Sequence, residues 1–405
     1  MTDTNLRENT IYNCIIIGAG ASGLFFAASP DSSCGGLILD SSKRPGLKLL
    51  MSGSGQCNIT HSGSIKDFVK YYNTGKIRSC LFKYNNQSLR NFLSENGVNT
   101  IARADGKVFP ASMKAQDILN ILLRLCDKNG FEMRTNHKVT GIKSAADGLW
   151  QVISKDQNFR CKRLIIATGG CSYPTTGSDG SMFEILRRDL GLDITELRPA
   201  LSPIRVLNYP YSSLSGISFD EAEIKIFDGS LGTLRVKATG PLLLTHSDFS
   251  GPVVLNISKE ARTGDILEIN YLGQDVATVR AKLQAARQGS AKNMASDVAQ
   301  ITNLPLRFCK SLEERYGRSI SKISGALCGE RFNITSGPGY KKAMATAGGV
   351  SLDAIDTKTF ECKSYKNLYI IGEACDVDGI TGGYNLQFAF SSAFAAAAKV
   401  HLTED

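Results

Sequence analysis

The stretch YNCIIIGAGASGLFFAA, residues 12–28, decides the fold. Tyr12–Ile17 is a short run of apolar and β-branched residues, the composition of a buried parallel strand. Gly18-Ala19-Gly20-Ala21-Ser22-Gly23 follows at once, and Leu24–Ala28 continues as a helix. This is GxGxxG in its required setting of strand, tight turn and helix. Gly18 permits the turn, Gly20 lets the backbone approach a pyrophosphate, and Gly23 lets the helix pack against the strand. The helix N-terminus, from Ala21 and Ser22, offers free N–H groups and a partial positive charge to phosphates. A second strand, Leu37–Leu39, ends in Asp40, 20 residues past Gly20, where an acceptor for a ribose hydroxyl belongs.

Working outward, two later segments choose the dinucleotide. Leu164–Ala167 reads as a strand followed by Thr168-Gly169-Gly170. Leu368–Ile371 reads as another, followed by Gly372-Glu373, then Gly379, Gly382, Gly383 and a helix from about Tyr384. Strands ending in ATG and in GE resemble FAD-binding domains of the glutathione-reductase type. That resemblance puts Glu373 by the ribityl-phosphate region of the cofactor. It puts Asn385, Leu386 and Gln387 at the start of a helix whose positive end meets the pyrimidine edge of the flavin. No second GxGxxG follows a strand and opens a helix, so no dedicated nicotinamide domain is expected. NADH or NADPH is expected as a transient electron donor.

At 405 residues the chain exceeds one ordinary core. Its apolar run near the N-terminus is too short for a membrane span and lacks the flanks of a signal peptide. The expectation is a cytoplasmic protein without a membrane partner. The 11 cysteines show no CxxC pair or metal spacing and read as reduced thiols, and His61, His137, His246 and His401 are widely separated, so no metal is expected. Met1–Asn9 is polar and is expected to fray.

The net charge of +9 is uneven. Between Asp275 and Ala345 stand Arg280, Lys282, Arg287, Lys292, Arg307, Lys310, Arg315, Arg318, Lys322, Arg331, Lys341 and Lys342. Only Asp275, Asp297, Glu313, Glu314 and Glu330 oppose them, so this stretch holds +7 of the total. Such a region either attracts a polyanion, RNA first, or is a solvated helical surface.

Five further segments identify a resemblance over nearly the whole chain. They are PGLKLLMSGSGQCNIT (45–60), ATGGCSYPTTGSDG (167–180), LLLTHSDFSGPVVLNIS (242–258), ATAGGVSLDAIDTKTFECK (345–363) and GEACDVDGITGGYNLQFAFSS (372–392). Together they closely resemble the YhiN/BaiN family of bacterial flavoproteins. The resemblance implies an α/β architecture: a Rossmann-type, glutathione-reductase-like FAD domain interrupted by a mainly β domain and a small helical domain. The expected divisions are 1–194 and 339–405 for the FAD domain, 195–274 for the β-rich insert and 275–338 for the helical insert. Short runs at Ile204–Val206, Glu223–Phe227, Thr233–Val236, Leu242–Leu244 and Asp265–Ile269 read as strands. Val276–Ala286 and Lys292–Ile301 read as helices.

The resemblance also implies a cofactor set: Gly18, Gly20, Ala21, Ser22, Gly23, Asp40, Lys48, Ser52, Gly53, Gly55, Cys57, Asn58, Val139, Ala167, Thr168, Gly169, Gly372, Glu373, Gly383, Asn385, Leu386 and Gln387 around FAD. Lys48 either meets a phosphate of FAD or is a solvated lysine. Gln56 stands where family members usually carry arginine, which removes a permanent charge and a planar fork. The activities attributed to the family are reduction of a uridine in 23S ribosomal RNA to dihydrouridine, reduction of steroid or bile-acid double bonds, and oxidation of small amines. The first is the leading expectation, with RNA as partner through the basic helical insert. It calls for a hydride at uracil C6 and a proton at C5, from a uridine taken out of its stack. Cys57 and His246 are the candidate proton donors, each with a packing or structural role as the alternative. Tyr173 and Tyr384 either stack on a base or flavin or belong to the core.

Overall fold

The computed structural model describes residues 10–30, 34–155, 157–288 and 293–401. Met1–Asn9, expected to fray, lies outside the described residues, as does Lys292. The chain forms two compact units, residues 1–198 with 345–405, and residues 199–344. The elements used below are, in chain order, β1 (Ile11–Ile17), α1 (Ala21–Ala28), β2 (Gly36–Leu39), α2 (Leu47–Met51), α3 (Ala115–Lys128), β3 (Phe131–Arg134), β4 (Val139–Ser144), β5 (Trp150–Ser154), β6 (Asn158–Ile166), α4 (Ser181–Leu190), β7 (Ser218–Phe227), β8 (Leu234–Leu244), β9 (Phe249–Ser250), β10 (Ile266–Asn270), α5 (Val276–Arg287), α6 (Met294–Thr302), α7 (Leu306–Tyr316), α8 (Ile320–Gly329), β11 (Glu330–Asn333), β12 (Leu368–Ile370) and α9 (Tyr384–His401).

In the first unit, the sheet runs β3-β2-β1-β6-β5-β4, with β12 also on β6. β3, β2, β1, β6 and β12 are parallel neighbours, with Ile15 opposite both Leu37 and Leu164, and Leu368 opposite Leu164. The long β6 serves two partners along one edge. Its Asn158–Cys161 end takes β5 in antiparallel pairing, and its Leu164–Ile166 end takes β12 in parallel. Cys14, Ile15, Ile16, Leu164, Ile165, Leu368 and Tyr369 are wholly buried, which is why these segments read as continuous apolar runs rather than alternating ones. Every residue of α1 after Ala21 is buried. α1 packs against α9 and α3. α9 presents the small, fully buried Ala393, Ala396 and Ala397. This is a Rossmann-type layer, and it brings the ends of β1, β6 and β12 together.

The second unit has a five-stranded antiparallel sheet, β9-β8-β7-β10-β11. Two expected strands, Thr233–Val236 and Leu242–Leu244, are one: β8 runs unbroken through Gly240 and Pro241 while pairing with β7. Ile204 and Val206 make only single bridges, to Phe249 and Ile334. α5 to α8 fall between the adjacent strands β10 and β11. The separate helical domain expected from sequence is not a separate body. Val279, Leu283, Phe308, Leu312 and Leu327 from the helices share one buried cluster with Ile224, Leu267 and Phe332 from the sheet. The unit therefore also starts and ends a few residues later than expected, at 199 and 344.

A polar knot ties these helices to the sheet. Glu330, on β11 and 4% exposed, accepts hydrogen bonds from the hydroxyls of Tyr211, Tyr271 (2.7 Å) and Tyr316 (2.6 Å), and pairs with Arg315 of α7. Burial, then the charge of Glu330, pushes the Tyr211 and Tyr271 hydroxyls well above their ordinary range. Among the described residues, no helix is long and apolar enough to cross a membrane.

Candidate functional site

The site begins at the glycine-rich turn. Gly18 has φ +107°, and a Cβ there would stand 2.4 Å from the Ala167 carbonyl oxygen. A Cβ on Gly23 would stand 2.0 Å from the Gly18 oxygen. The chain's own packing demands these two glycines. Gly20 differs. Its φ and ψ of −87° and −168° suit any residue, and a Cβ would meet nothing nearer than the Ala167 oxygen at 4.0 Å. Among the described residues no contact calls for glycine there, so the open space fits a ligand that approaches the backbone. The Leu24 N–H makes the first α1 bond, to the Gly20 carbonyl at 3.0 Å, and no side chain caps the helix. The N–H groups of Ala21, Ser22 and Gly23 therefore lack intrahelical acceptors and face an anion position.

Asp40, beyond β2, accepts from the Ala19 N–H (2.6 Å) and the Ser42 N–H (2.7 Å). It holds the turn, and each carboxylate oxygen keeps a further lone pair for a ribose hydroxyl. Ala167 is buried beyond β6, with Thr168 and Gly169 half-buried after it. Val139 is buried at the start of β4.

A belt formed by residues 46–60 links three places. At its start the Gly46 N–H donates to the Ala19 carbonyl at 2.8 Å. Next, Lys48 of α2 ion-pairs with Glu373 and donates to Ser172 Oγ at 2.6 Å. Glu373 Oε1 also accepts from Ser172 Oγ (3.1 Å) and the Thr346 N–H (2.7 Å). Gly372, at φ +64°, sits where a Cβ would be 2.5 Å from Ser22 Oγ, so Glu373 is held beside the first turn of α1. At its far end, Asn58, in the amide orientation that satisfies all its neighbours, donates to the Thr60 and Val108 carbonyls (2.9 and 3.1 Å) and accepts from the Gly383 N–H (3.1 Å). A Cβ on Gly383 would lie 2.5 Å from the Thr60 oxygen. The belt thus spans from the phosphate turn, past Glu373, to the N-terminus of α9. Between these anchors, Ser52–Gly55 is a tight 3-10 turn with Gly53, Ser54 and Gly55 at positive φ, and Cys57 follows at φ +61°.

Several expected contacts are arranged otherwise. Lys48 is not simply a solvated lysine: Glu373 and Ser172 take two of its three N–H donors. Gln387 is wholly buried: its Oε1 accepts from Thr60 Oγ1 at 2.6 Å, and its Nε2 donates to the Tyr84 carbonyl (3.1 Å) and Ser391 Oγ (3.0 Å). The Asn385 amide is engaged with both backbone groups of Gly379, at 2.8 and 2.9 Å. These side-chain amides shape the α9 entry. What α9 offers is backbone: Gln387 N–H bonds the Gly383 carbonyl at 3.0 Å, so the N–H groups of Tyr384, Asn385 and Leu386 precede any intrahelical acceptor. Tyr384 is 3% exposed, with His61 stacked on its ring and Phe68, Tyr71 and Tyr72 around it, so it is a core residue with no free face for a base. Tyr173 is half-buried at φ +54° in the loop after β6.

The two candidate proton donors lie in different surroundings. Cys57 is fully buried, and burial pushes its thiol up to about 12. Such burial matches the packing alternative for Cys57 rather than a thiol open to solvent. His246 is exposed on the turn between β8 and β9, in the second unit. Sequence reasoning missed Ser172 and Thr346, which hold Glu373, although both lie inside motifs that were read (ATGGCS and ATAGG). It also missed Arg103, whose Nη2 donates to Gln56 Oε1 at 2.7 Å, beside the position where the resemblance leads one to expect arginine. No local motif marks that residue.

Comparison with known proteins agrees with this geometry. The family model described as HI0933-like protein Rossmann domain matches residues 12–399, and the chain belongs to that family. It is 30% identical to a ribosomal RNA dihydrouridine synthase of Haemophilus influenzae, over 95% of this chain and 98% of the relative. It is 27% identical to a 3-dehydro-bile acid delta(4,6)-reductase of Clostridium scindens, over 94% of this chain and 97% of the relative. Among solved structures, the open conformation of a flavocytochrome c3 fumarate reductase is similar in fold, with TM-score 0.53 and 15% identity, over 98% of this chain and 79% of that one.

Proposed function

We propose that this oxidoreductase of the HI0933-like family binds FAD in the cradle described above and uses NADH or NADPH to reduce a uridine of 23S ribosomal RNA to dihydrouridine. The observation that carries the reading is the end-to-end similarity to a ribosomal RNA dihydrouridine synthase, on a chain whose glycine turn leaves room for a ligand at Gly20. The residues present fit FAD. The N–H groups of Ala21, Ser22 and Gly23 would hold the pyrophosphate, and Asp40 the ribose. Glu373 would stand by the ribityl chain, and the first N–H groups of α9 at the pyrimidine edge. When bound, FAD supplies hydride chemistry, which no side chain provides.

The chain's own residues position and polarise. The N-terminal end of α9 stabilises negative charge without reorganising, because its entry is fixed by the Asn58–Gly383 and Asn385–Gly379 contacts. RNA is supported by the charge of the second unit. Arg287, Arg315, Arg318, Arg331 and Lys342 are matched by carboxylates. Arg280, Lys282, Arg307, Lys310, Lys322 and Lys341 are exposed and, among the described residues, have no ion pair, which leaves cations for phosphates. The cytoplasm, where ribosomes are made, is the compartment this reading requires.

The test deletes the gene in its host and measures dihydrouridine in 23S ribosomal RNA by nucleoside mass spectrometry. Loss of one dihydrouridine, restored by the cloned gene, is the expected outcome. An unchanged level sinks the RNA reading and turns attention to an apolar enone, as the similarity to the bile-acid reductase suggests.

A further inference from the structure

Gln56 stands in the middle of the belt, between the Lys48–Glu373 pair and the Asn58–Gly383 contact. Its partner Arg103 opens the tight turn between the short strands Thr100–Ala102 and Lys107–Pro110. The Arg103 N–H donates to the Lys107 carbonyl and its carbonyl accepts from the Gly106 N–H, both at 2.9 Å. The guanidinium carbon lies 4.1 Å from the centroid of the Phe109 ring. Phe109 is buried, and its ring edge comes within 3.4 Å of where a Gly53 Cβ would be. Phe109 is therefore a wedge between the belt and the guanidinium, and Gln56 fixes the direction in which the fork points. Arg103 is nevertheless exposed. The nearest acid in sequence, Asp105, is engaged by Lys107 at 2.6 Å; Lys107 first, and the Arg103 charge with it, hold that carboxyl below its ordinary range, but Arg103 itself makes no ion pair among the described residues. A guanidinium carries five N–H donors, and the Gln56 bond uses one.

A permanently charged fork, pre-oriented by a ring and an amide and hydrogen-bonded to no carboxylate among the described residues, suits a phosphate. We infer that Arg103 binds a phosphate of the ligand that enters over the belt, either of the RNA or of the nicotinamide dinucleotide. The nature of that anion rests on the function proposed above, since both reactants carry phosphates. The pyrophosphate of FAD is already served by α1. Gln56 is a positioning residue, which acts only through Arg103.

The experiment compares wild type with Arg103→Gln and Arg103→Lys as FAD-loaded proteins. One arm measures binding of an unmodified 23S ribosomal RNA transcript as a function of salt. The other measures anaerobic flavin reduction by NADH across NADH concentrations. Flavin absorbance reports whether the cofactor remains bound, and it is expected to be unchanged, since the side chain is exposed. If RNA provides the phosphate, Arg103→Gln weakens RNA binding about tenfold and lowers the salt slope by roughly one, with Arg103→Lys intermediate and NADH reduction unaltered. If the dinucleotide provides it, the NADH concentration dependence shifts by a similar factor and RNA binding stays as in wild type. Unchanged behaviour in both arms overturns the inference. A wild-type protein that does not bind the transcript defeats the functional reading instead, and the NADH arm still decides the role of Arg103.

Discussion

Two glutamates, one in each unit, are held in opposite ways. Glu330 is closed: three tyrosine hydroxyls and Arg315 occupy both oxygens, and it is 4% exposed. Glu373 is also multiply bonded, by Lys48, Ser172 and the Thr346 N–H, but its side chain keeps 21% exposure and its lysine 25%. The first arrangement has no capacity left and works only as a fastener between α7 and the sheet. The second lies beside the uncapped N–H groups of α1 and keeps part of its surface open to solvent, so it can re-partner when a ligand arrives. Saturation marks stability, and unsaturated groups mark the site.

The largest break in this comparison comes from Glu330→Ala. It strips the acceptor from the buried hydroxyls of Tyr211 and Tyr271, from that of Tyr316 and from the partly exposed Arg315 guanidinium, and a loss of about 3–5 kcal/mol is expected from urea titrations followed by circular dichroism. A cost under 1 kcal/mol would mean the knot is not a fastener. The two glycines of one turn repeat the contrast at closer range. Gly23→Ala drives a methyl into the Gly18 carbonyl and should destabilise by about 1–3 kcal/mol. Gly20→Ala should leave the melting temperature nearly untouched while FAD is lost on gel filtration. Equal retention of FAD in wild type and Gly20→Ala would remove the argument from that glycine.

Cys57 sharpens the comparison by falling on the closed side. Its thiol is raised to about 12 when folded, against an ordinary value of about 8.5 in the unfolded chain. The neutral form is the one the fold holds, so its contribution is complete below pH ~8.5 and is lost as pH rises towards 12. By pH ~10 the wild type should have lost about 1–2 kcal/mol more than Cys57→Ala has. Parallel stability–pH curves for the two would show the thiol to be solvated. The smallest effect is expected from Lys48→Met. The pair it breaks is partly exposed, so stability should fall by at most ~1 kcal/mol, while FAD affinity changes through the freed Glu373. A loss as large as that of Glu330→Ala would erase the distinction between the two glutamates.

The parallel sheet and its glycine turn were legible because they depend on local signals: an apolar run, fixed glycine spacing and an acid 20 residues on. The joining of the helical insert to the β-rich insert was not, because a shared core between Phe308 and Phe219 or Tyr271 is a matter of long-range packing. Asn385, Leu386 and Gln387 were placed at the start of α9 with its positive end toward a ligand, but where the side-chain amides of Asn385 and Gln387 go was not legible. Helical geometry turned one into the core and tied the other to Gly379, which periodicity alone cannot foresee. Arg103 was invisible for the same reason: 47 residues separate it from Gln56, and only a hairpin's fold brings the two side chains together.

One consequence of the split first unit concerns its manufacture. β12 and α9 follow the second unit in the chain, yet they complete the edge of β6 and the cover over α1. On the ribosome, the contiguous stretch 199–344 emerges whole while the earlier half of the sheet still waits for its closing strand. The nascent Leu164–Ile166 edge and the apolar faces of α1 therefore stay open through the synthesis of some two hundred residues. A chaperone that shields strand edges, or early capture of a flavin nucleotide by the glycine turn, would shorten that exposure.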